Sequence, residues 1–379
     1  MLRFVTCLLA AALMAAPGAR AQPGDTLVLA ARDAHRAKDV ARLSPLRERA
    51  LAANHPLAPW IDYWHLNLRL PQASQDELEA FYARWPRSYV EDRLRNDWLL
   101  ELGKRRDWAN LRREYPRFRM DDDREVRCYW LLTEHLQGRD VRADAHAAWL
   151  AQRRDDDGCR LMASTLVQAG VLQRHDAWIA VRQALLLNRT AAARAAAALV
   201  STEADAALAD AADNPARYLA RYLTHHADGM VRGDRAEFML WALIRLATQD
   251  PEVAAAQAQA WTKRLPRDQA ATAWAAIGHR AALRLAPQAA DHYALAWQLA
   301  GGPEVAAGWL PETFEWGVRA ALRGQGRAPP RWQLVRQTID AMPPALAADP
   351  AWVYWRARAL HALAAPGDAG AAARAEADA

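Results

Sequence analysis

The stretch 92-DRLRNDWLLELGKRRDW-108 decides how the chain is read. At first sight its arginines and tryptophans suggest a nucleic-acid patch. Over Glu91–Trp108, however, Arg93, Arg95, Lys104, Arg105 and Arg106 are matched by Glu91, Asp92, Asp97, Glu101 and Asp107, so the net charge is zero. A phosphate-tracking surface gains affinity from uncompensated cations, and interleaved acids cancel that gain. On a helical wheel Leu94, Trp98, Leu99 and Leu102 span one broad face, and Arg93 reaches Asp97 at the next turn. Gly103 is the expected end of this helix and Lys104 to Arg106 the turn; Asp107 caps a second helix, WANLRREY, which Pro116 stops. The stretch reads as one helical hairpin. Arg95 projects into its apolar stripe and, if buried, requires a carboxylate or carbonyl partner.

The same grammar runs along the chain. Helix-period faces recur at Val126, Tyr129, Trp130 and Thr133, at Leu240, Leu243, Ile244 and Ala247, and at Trp274, Ile277, Ala281 and Leu285. Prolines at 56, 71, 86, 116, 251, 266, 287, 303, 311, 329, 343 and 350 leave room for helices of about 10 to 18 residues. Asp250-Pro251 and Asp349-Pro350 place a capping carboxylate before a proline at the first helical position, where no hydrogen bond is lost. No alternating β-branched run predicts a strand. Amphipathic helices in series bury their faces against successive neighbours, so the expected fold is all-α, a solenoid of short helical hairpins. Asp349–Leu363, DPAWVYWRARALHAL, has the small-and-aromatic spacing of a tetratricopeptide-like first helix, without a strict repeat period. The closing GDAGAAARAEADA begins another helix near Gly370 and stops without a cap.

Residues 1–21 have the form of a secretory signal peptide: Arg3, the apolar run FVTCLLAAALMAA, then Ala19-Arg20-Ala21 as a cleavage pattern. The run is too short for a spanning helix of roughly 20 residues, and no later segment is apolar over that length, so no membrane span is expected. Cys7 lies within the apolar run, which argues against a lipoprotein anchor. Removing residues 1–21 takes away Arg3 and Arg20 and no acid, lowering the formal charge from +5 to +3. Scattered mixed-sign charge of this kind makes a solvated surface. Cys128 and Cys159 remain, and in an oxidising compartment two thiols in one folded domain commonly pair; closing a loop of about 30 residues restrains the unfolded chain by roughly 3 kcal/mol. His135 and His146 lie between them but lack the short paired intervals of a zinc site.

Motifs of catalysis are missing: no G-x-S-x-G elbow, no H-E-x-x-H pair and no phosphate loop. The glycine-rich GQGRAPP at Gly324 runs into two prolines and reads as a loop. Asp121 to Asp123 and Asp155 to Asp157 lack the alternation of a calcium loop and read as helix-capping turns; the adjacent His225 and His226 fall on different helix faces. No catalytic, cofactor-binding or metal-ligating residue is assigned. Trp60, Tyr63, Trp64, Trp98, Trp108, Trp352 and Trp355 have rings suited to stacking on sugars or bases. Their helical spacing (Trp60, Trp64, Leu68; Leu94, Trp98, Leu102; Trp352, Trp355, Ala359) favours core packing, with a minority of rings left exposed on a concave surface.

At HPLAPWIDYWHLNLRL (55–70), FYARWPRSYVEDRLRNDWLLELGKRRDWANLRREYP (81–116) and AWVYWRARAL (351–360) the sequence resembles the N-terminal helical domain of soluble lytic murein transglycosylases. The resemblance includes Cys128 and Cys159 in EVRCYW and DDDGCRLM, and extends more weakly through most of residues 22–379. It implies a periplasmic protein whose short helices form a right-handed, U-shaped superhelix carrying a lysozyme-like catalytic domain. The family cleaves the β-1,4 bond between N-acetylmuramic acid and N-acetylglucosamine. One glutamic acid protonates the glycosidic oxygen and then, as base, helps the muramyl 6-hydroxyl close a 1,6-anhydro ring. The family's catalytic Glu-Ser dipeptide and its Gly-x-Met-Gln segment do not occur in this sequence. The expectation is therefore a scaffold of residues 22–379, truncated before the linker and catalytic domain and without cleavage activity of its own. Its implied partners are peptidoglycan glycan strands and cell-wall synthesis proteins, not nucleic acid. The alternative is a stand-alone periplasmic helical-repeat scaffold for protein interactions.

Overall fold

The computed structural model describes residues 25–152, 156–225, 229–306, 308–323 and 329–364. All regular elements among the described residues are helical. The signal-peptide segment, the loop at Gly324, Asp155, His226 and the closing segment from Gly370 lie outside them, as does the side chain of His225. Residues up to Thr133 pack as one compact unit and those from Glu134 as a second.

In the first unit the helices Asp25–Arg36, Val40–Ala52 and Ala58–Asn67 pack on one another around Leu27, Ala31, Leu43 and Ile61. Gln75–Arg84 opens with a reciprocal capping box: the Glu77 amide donates to Ser74 Oγ at 3.2 Å, and the Ser74 amide donates to Glu77 Oε2 at 3.0 Å. Ser88 caps the next helix by accepting from the Glu91 amide. That helix, Tyr89–Arg105, buries Leu94, Trp98, Leu99 and Leu102, and Asp107 caps its partner Trp108–Glu114 through the Asn110 amide. The opening stretch is thus a hairpin as expected, with one correction. Gly103 does not end the helix; Arg106 does, in the left-handed region at φ 58°, with its amide bonded to the Gly103 carbonyl. Gly103 is there for packing. A Cβ on it would overlap Cδ2 of Tyr129, an approach no side chain tolerates.

The second unit is a series of helix-on-helix contacts. Arg174–Leu186 packs on Thr190–Val200, and Asp234–Gln249, Pro251–Trp261, Arg267–Leu283 and Ala289–Ala300 each pack on the next. Asp250 accepts from the Glu252 and Val253 amides and Asp349 from the Ala351 amide, each before a proline at the first helical turn, as the sequence predicts. Alanines allow close approach, and Trp178, Phe238 and Trp241 fill one interior, Trp297, Trp309 and Phe314 another. Tyr293 is fully buried between Gly278 and Gly317 and donates its hydroxyl to the Thr313 carbonyl at 2.7 Å. Leu240, Leu243, Ile244 and Ala247 are all buried, but Leu285, expected on an apolar face, is 63% exposed. It lies beyond the end of Arg267–Leu283 at φ 59°, where the helical period no longer applies.

Candidate functional site

Two neighbouring helices of the first unit present one aromatic and polar strip. On Ala58–Asn67, the residues Trp60, Tyr63, Trp64 and Asn67 recur at the three- and four-residue steps of one face, on which Tyr63 is buried and the other three are half-buried; Ile61, Asp62 and Leu66 turn into the core. On Tyr89–Arg105, Tyr89, Arg93 and Asp97 follow one another turn by turn. These two helices pack together, and the Trp60 ring lies at the centre. Its centroid is 5.7 Å from Tyr89, 5.9 Å from Tyr63 in an edge contact, and 6.5 Å from Trp64, and His35 stacks on Trp64 at 5.6 Å. Tyr89 is 59% exposed, and Trp60 and Trp64 are half-buried.

Asp97 organises the polar side of the strip. Its Oδ2 accepts from the Tyr63 hydroxyl at 2.7 Å and from Asn67 Nδ2 at 2.8 Å, and Arg93 Nη2 stands 3.8 Å from Oδ1. Burial, then the Asp97 charge, push the Tyr63 hydroxyl far above its ordinary value, so it remains a donor. Burial lowers the pKa of His35, against an opposing hydrogen bond with Asn67. The formal charges of the strip, Arg93 and Asp97, are of opposite sign.

The seven aromatic residues singled out in the sequence divide between core and surface. Trp98 and Trp352 are buried, as is most of Tyr63, and Trp98 Nε1 donates to Gln75 Oε1 at 3.2 Å. Trp60, Trp64, Trp108 and Trp355 are half-buried, the last beside Trp332 and Tyr354. Tyr89, the most exposed ring of the strip, is absent from that set because the helix pattern marks buried periodicity and gives no sign of an exposed ring.

A groove of about 320 Å³ is lined by Arg87, Arg95, Arg117 and Arg119 together with Glu79, Tyr82 and Glu91. Arg117 pairs with Glu79 at 2.8 Å, Arg119 with Glu91 at 3.3 Å, and Arg95 with Glu91 at 2.6 Å. Beneath them Asp92 and Glu114 are buried, so four carboxylates answer four guanidiniums. The Arg95 guanidinium also lies 4.1 Å over the Tyr82 ring. This is an ion-pair network that ties helices together, and it leaves little field for an external anion.

Each aspartate triplet supplies a helix cap, Asp123 in the first and Asp156 in the second. Asp123 accepts from the Glu125 and Val126 amides, Asp121 from the Tyr115 hydroxyl, and Asp156 from the Cys159 amide. Among the described residues no three His, Cys, Asp or Glu side chains converge as a metal site. Cys128 and Cys159 are fully buried and disulfide-bonded. One pairing has no signature in the sequence: Ser44 Oγ lies 3.1 Å from His65 Nε2. It is no nucleophile, because the hydroxyl bonds the Val40 carbonyl and the nearby Asp62 is taken by Arg47, Arg84 and Trp85.

Neither a protein-family model nor a curated protein matches the chain. Solved structures do. An inactive variant of the lytic transglycosylase Slt from Pseudomonas aeruginosa aligns at 24% identity with a TM-score of 0.54, over 92% of this chain and 54% of that one. The 70-kDa soluble lytic transglycosylase from Escherichia coli aligns at 17% identity over 88% of this chain and 52% of that one, with a TM-score of 0.49. A complex of the 70-kDa soluble lytic transglycosylase with bulgecin A gives 16% identity, the same coverage and the same score. The chain spans about half the length of these proteins, and over that half it has the all-helical fold of the Pseudomonas lytic transglycosylase.

Proposed function

We propose that residues 22–379 are the helical scaffold part of a periplasmic peptidoglycan lytic transglycosylase, exported by a signal peptide over residues 1–21. The observation that carries this reading is the fold shared with a lytic transglycosylase over 92% of the chain. Sequence resemblance at 55–70, 81–116 and 351–360 supports it, and a buried disulfide suits an oxidising compartment. No helix among the described residues is long and apolar enough to cross a membrane. The scaffold's part in the reaction is to hold glycan strands, so that binding energy remote from the cleaved bond positions it. The proton transfers belong to a glutamic acid in a Glu-Ser dipeptide, and none of the glutamates here occupies that context.

Reading the gene beyond codon 379 tests the proposal. An in-frame continuation carrying a Glu-Ser dipeptide is expected, and a stop codon without one overturns the enzyme reading in favour of a stand-alone scaffold. In parallel, the 379-residue chain should sediment with purified murein sacculi while releasing no 1,6-anhydromuropeptides. Failure to sediment removes the peptidoglycan role.

A further inference from the structure

We propose that the strip around Trp60 binds an uncharged run of β-1,4-linked N-acetylhexosamine units. One sugar face lies on Tyr89 and Trp60, and the ring hydroxyls and acetamido group meet Arg93, Asn67 and Asp97. The inference rests on the peptidoglycan reading and names the part of that polymer which this surface takes.

Three observations converge on it. The first is the exposed ring area: Tyr89 is 59% exposed beside the half-buried Trp60 and Trp64. Leaving aromatic carbon in water forgoes the gain of burying it, although the same helix buries Leu94, Trp98 and Leu102 elsewhere. A clustered apolar surface rimmed by polar groups marks an interaction site.

The second is preorganisation. Tyr63 and Asn67 fix the Asp97 carboxylate through bonds of 2.7 and 2.8 Å, and Arg93 stands beside it at 3.8 Å. Donors and acceptors held in place before binding lose little freedom when a ligand arrives. A pyranose in its chair form offers the complement, an apolar C–H face with hydroxyls around the edge.

The third is charge. One arginine against one aspartate leaves the strip without a net field, and the lowered pKa of His35 adds no cation. A nucleic acid or a carboxylate-bearing stem peptide gains nothing from such a surface, whereas a neutral sugar polymer needs no counter-charge.

Titration of chitohexaose into the full chain, followed by calorimetry, tests this directly. Tyr89→Ala removes the exposed ring without opening the core and should weaken binding at least tenfold. Arg93→Met should weaken it several-fold, whereas Tyr354→Ala, on the separate aromatic patch of the second unit, should leave it unchanged. Thermal unfolding of each variant checks that the fold is retained. Equal binding by wild type and both strip variants overturns the proposal, as does competition by an L-alanyl-γ-D-glutamyl-diaminopimelate tripeptide against chitohexaose. If the wild type ignores chitohexaose yet sediments with sacculi, the strip assignment fails alone. If it does neither, the peptidoglycan reading fails with it.

Discussion

Arg95 Nε stands 3.5 Å from Oε2 of Glu114, and both side chains are sealed from solvent. The remaining carboxylate oxygen of Glu114 accepts from Gln75 Nε2 at 2.9 Å, but Oε2 has no hydrogen-bond donor and depends on the guanidinium charge. Asp92, also buried, is held by the Arg119 and Met120 amides. Removing the guanidinium leaves Oε2 buried without its counter-charge, while the other oxygen keeps Gln75 and, at 3.4 Å, Arg117; breaking a buried pair from one side typically costs about 3–5 kcal/mol, the upper bound of the effect expected of Arg95→Met on urea unfolding. Adding Glu114→Gln to Arg95→Met should recover a large part of that loss. If the double variant is as unstable as the sum of the single ones, the two residues are not coupled.

Gly103 and Tyr129 give a second test, because a Cβ at 103 would overlap a ring that is only 1% exposed. Gly103→Ala gains about 1 kcal/mol of helix propensity in an unobstructed helix. Here the ring has nowhere to move, and overpacking of this kind costs about 1–3 kcal/mol. A net loss of stability is expected in Gly103→Ala, and in a Tyr129→Ala background the same substitution should become neutral or stabilising. A stabilised single variant would show that the ring yields.

These residues also show how far the sequence reaches. The hairpin at 92–108 is legible because apolar spacing, charge balance and the Asp107 cap are local properties, written within a few residues of each other. That Arg95 needs a partner is readable in the same way, yet Glu114 cannot be named from the pattern, since it arrives from the second helix of the hairpin by tertiary packing. Gly103 is ambiguous for a related reason: glycine serves a helix end and a close approach alike, and only Tyr129, 26 residues on, decides between them. The strip is half legible. Trp60 and Trp64 stand out by type and spacing, whereas Tyr89 and Asp97 join them only when two helices pack side by side.

The disulfide makes a third prediction. Cys128 and Cys159 are both inaccessible to solvent, so alkylation of the native chain should find no free thiol at either, and reduction after unfolding should add two hydrogens to the mass. Opening the loop between them frees the unfolded chain, and the entropy model puts the loss near 3–4 kcal/mol. Cys128→Ser with Cys159→Ser should therefore lower the urea midpoint, with a steeper slope because the uncrosslinked unfolded chain exposes more surface. Two titratable thiols in natively folded, unreduced material would refute the pairing.

His279 predicts acid sensitivity with a definite window. It is 6% exposed within Arg267–Leu283, and its Nδ1 has no hydrogen-bond partner. Burial, reinforced by the adjacent Arg280 charge, lowers its pKa from the usual 6.5 to about 4. Between these values the unfolded chain takes up a proton that the native state refuses, so stability falls as pH drops through this window and levels off below it. A shift of this size corresponds to about 3 kcal/mol at full extent. Carboxylates titrate over part of the same range, so the informative quantity is the difference between wild type and His279→Gln. Any packing cost of the substitution is a fixed offset that does not vary with pH. Unfolding free energies measured from about pH 7 down to pH 4 should therefore show the wild type losing about 3 kcal/mol more than the variant. Parallel curves would assign the acid sensitivity to other groups.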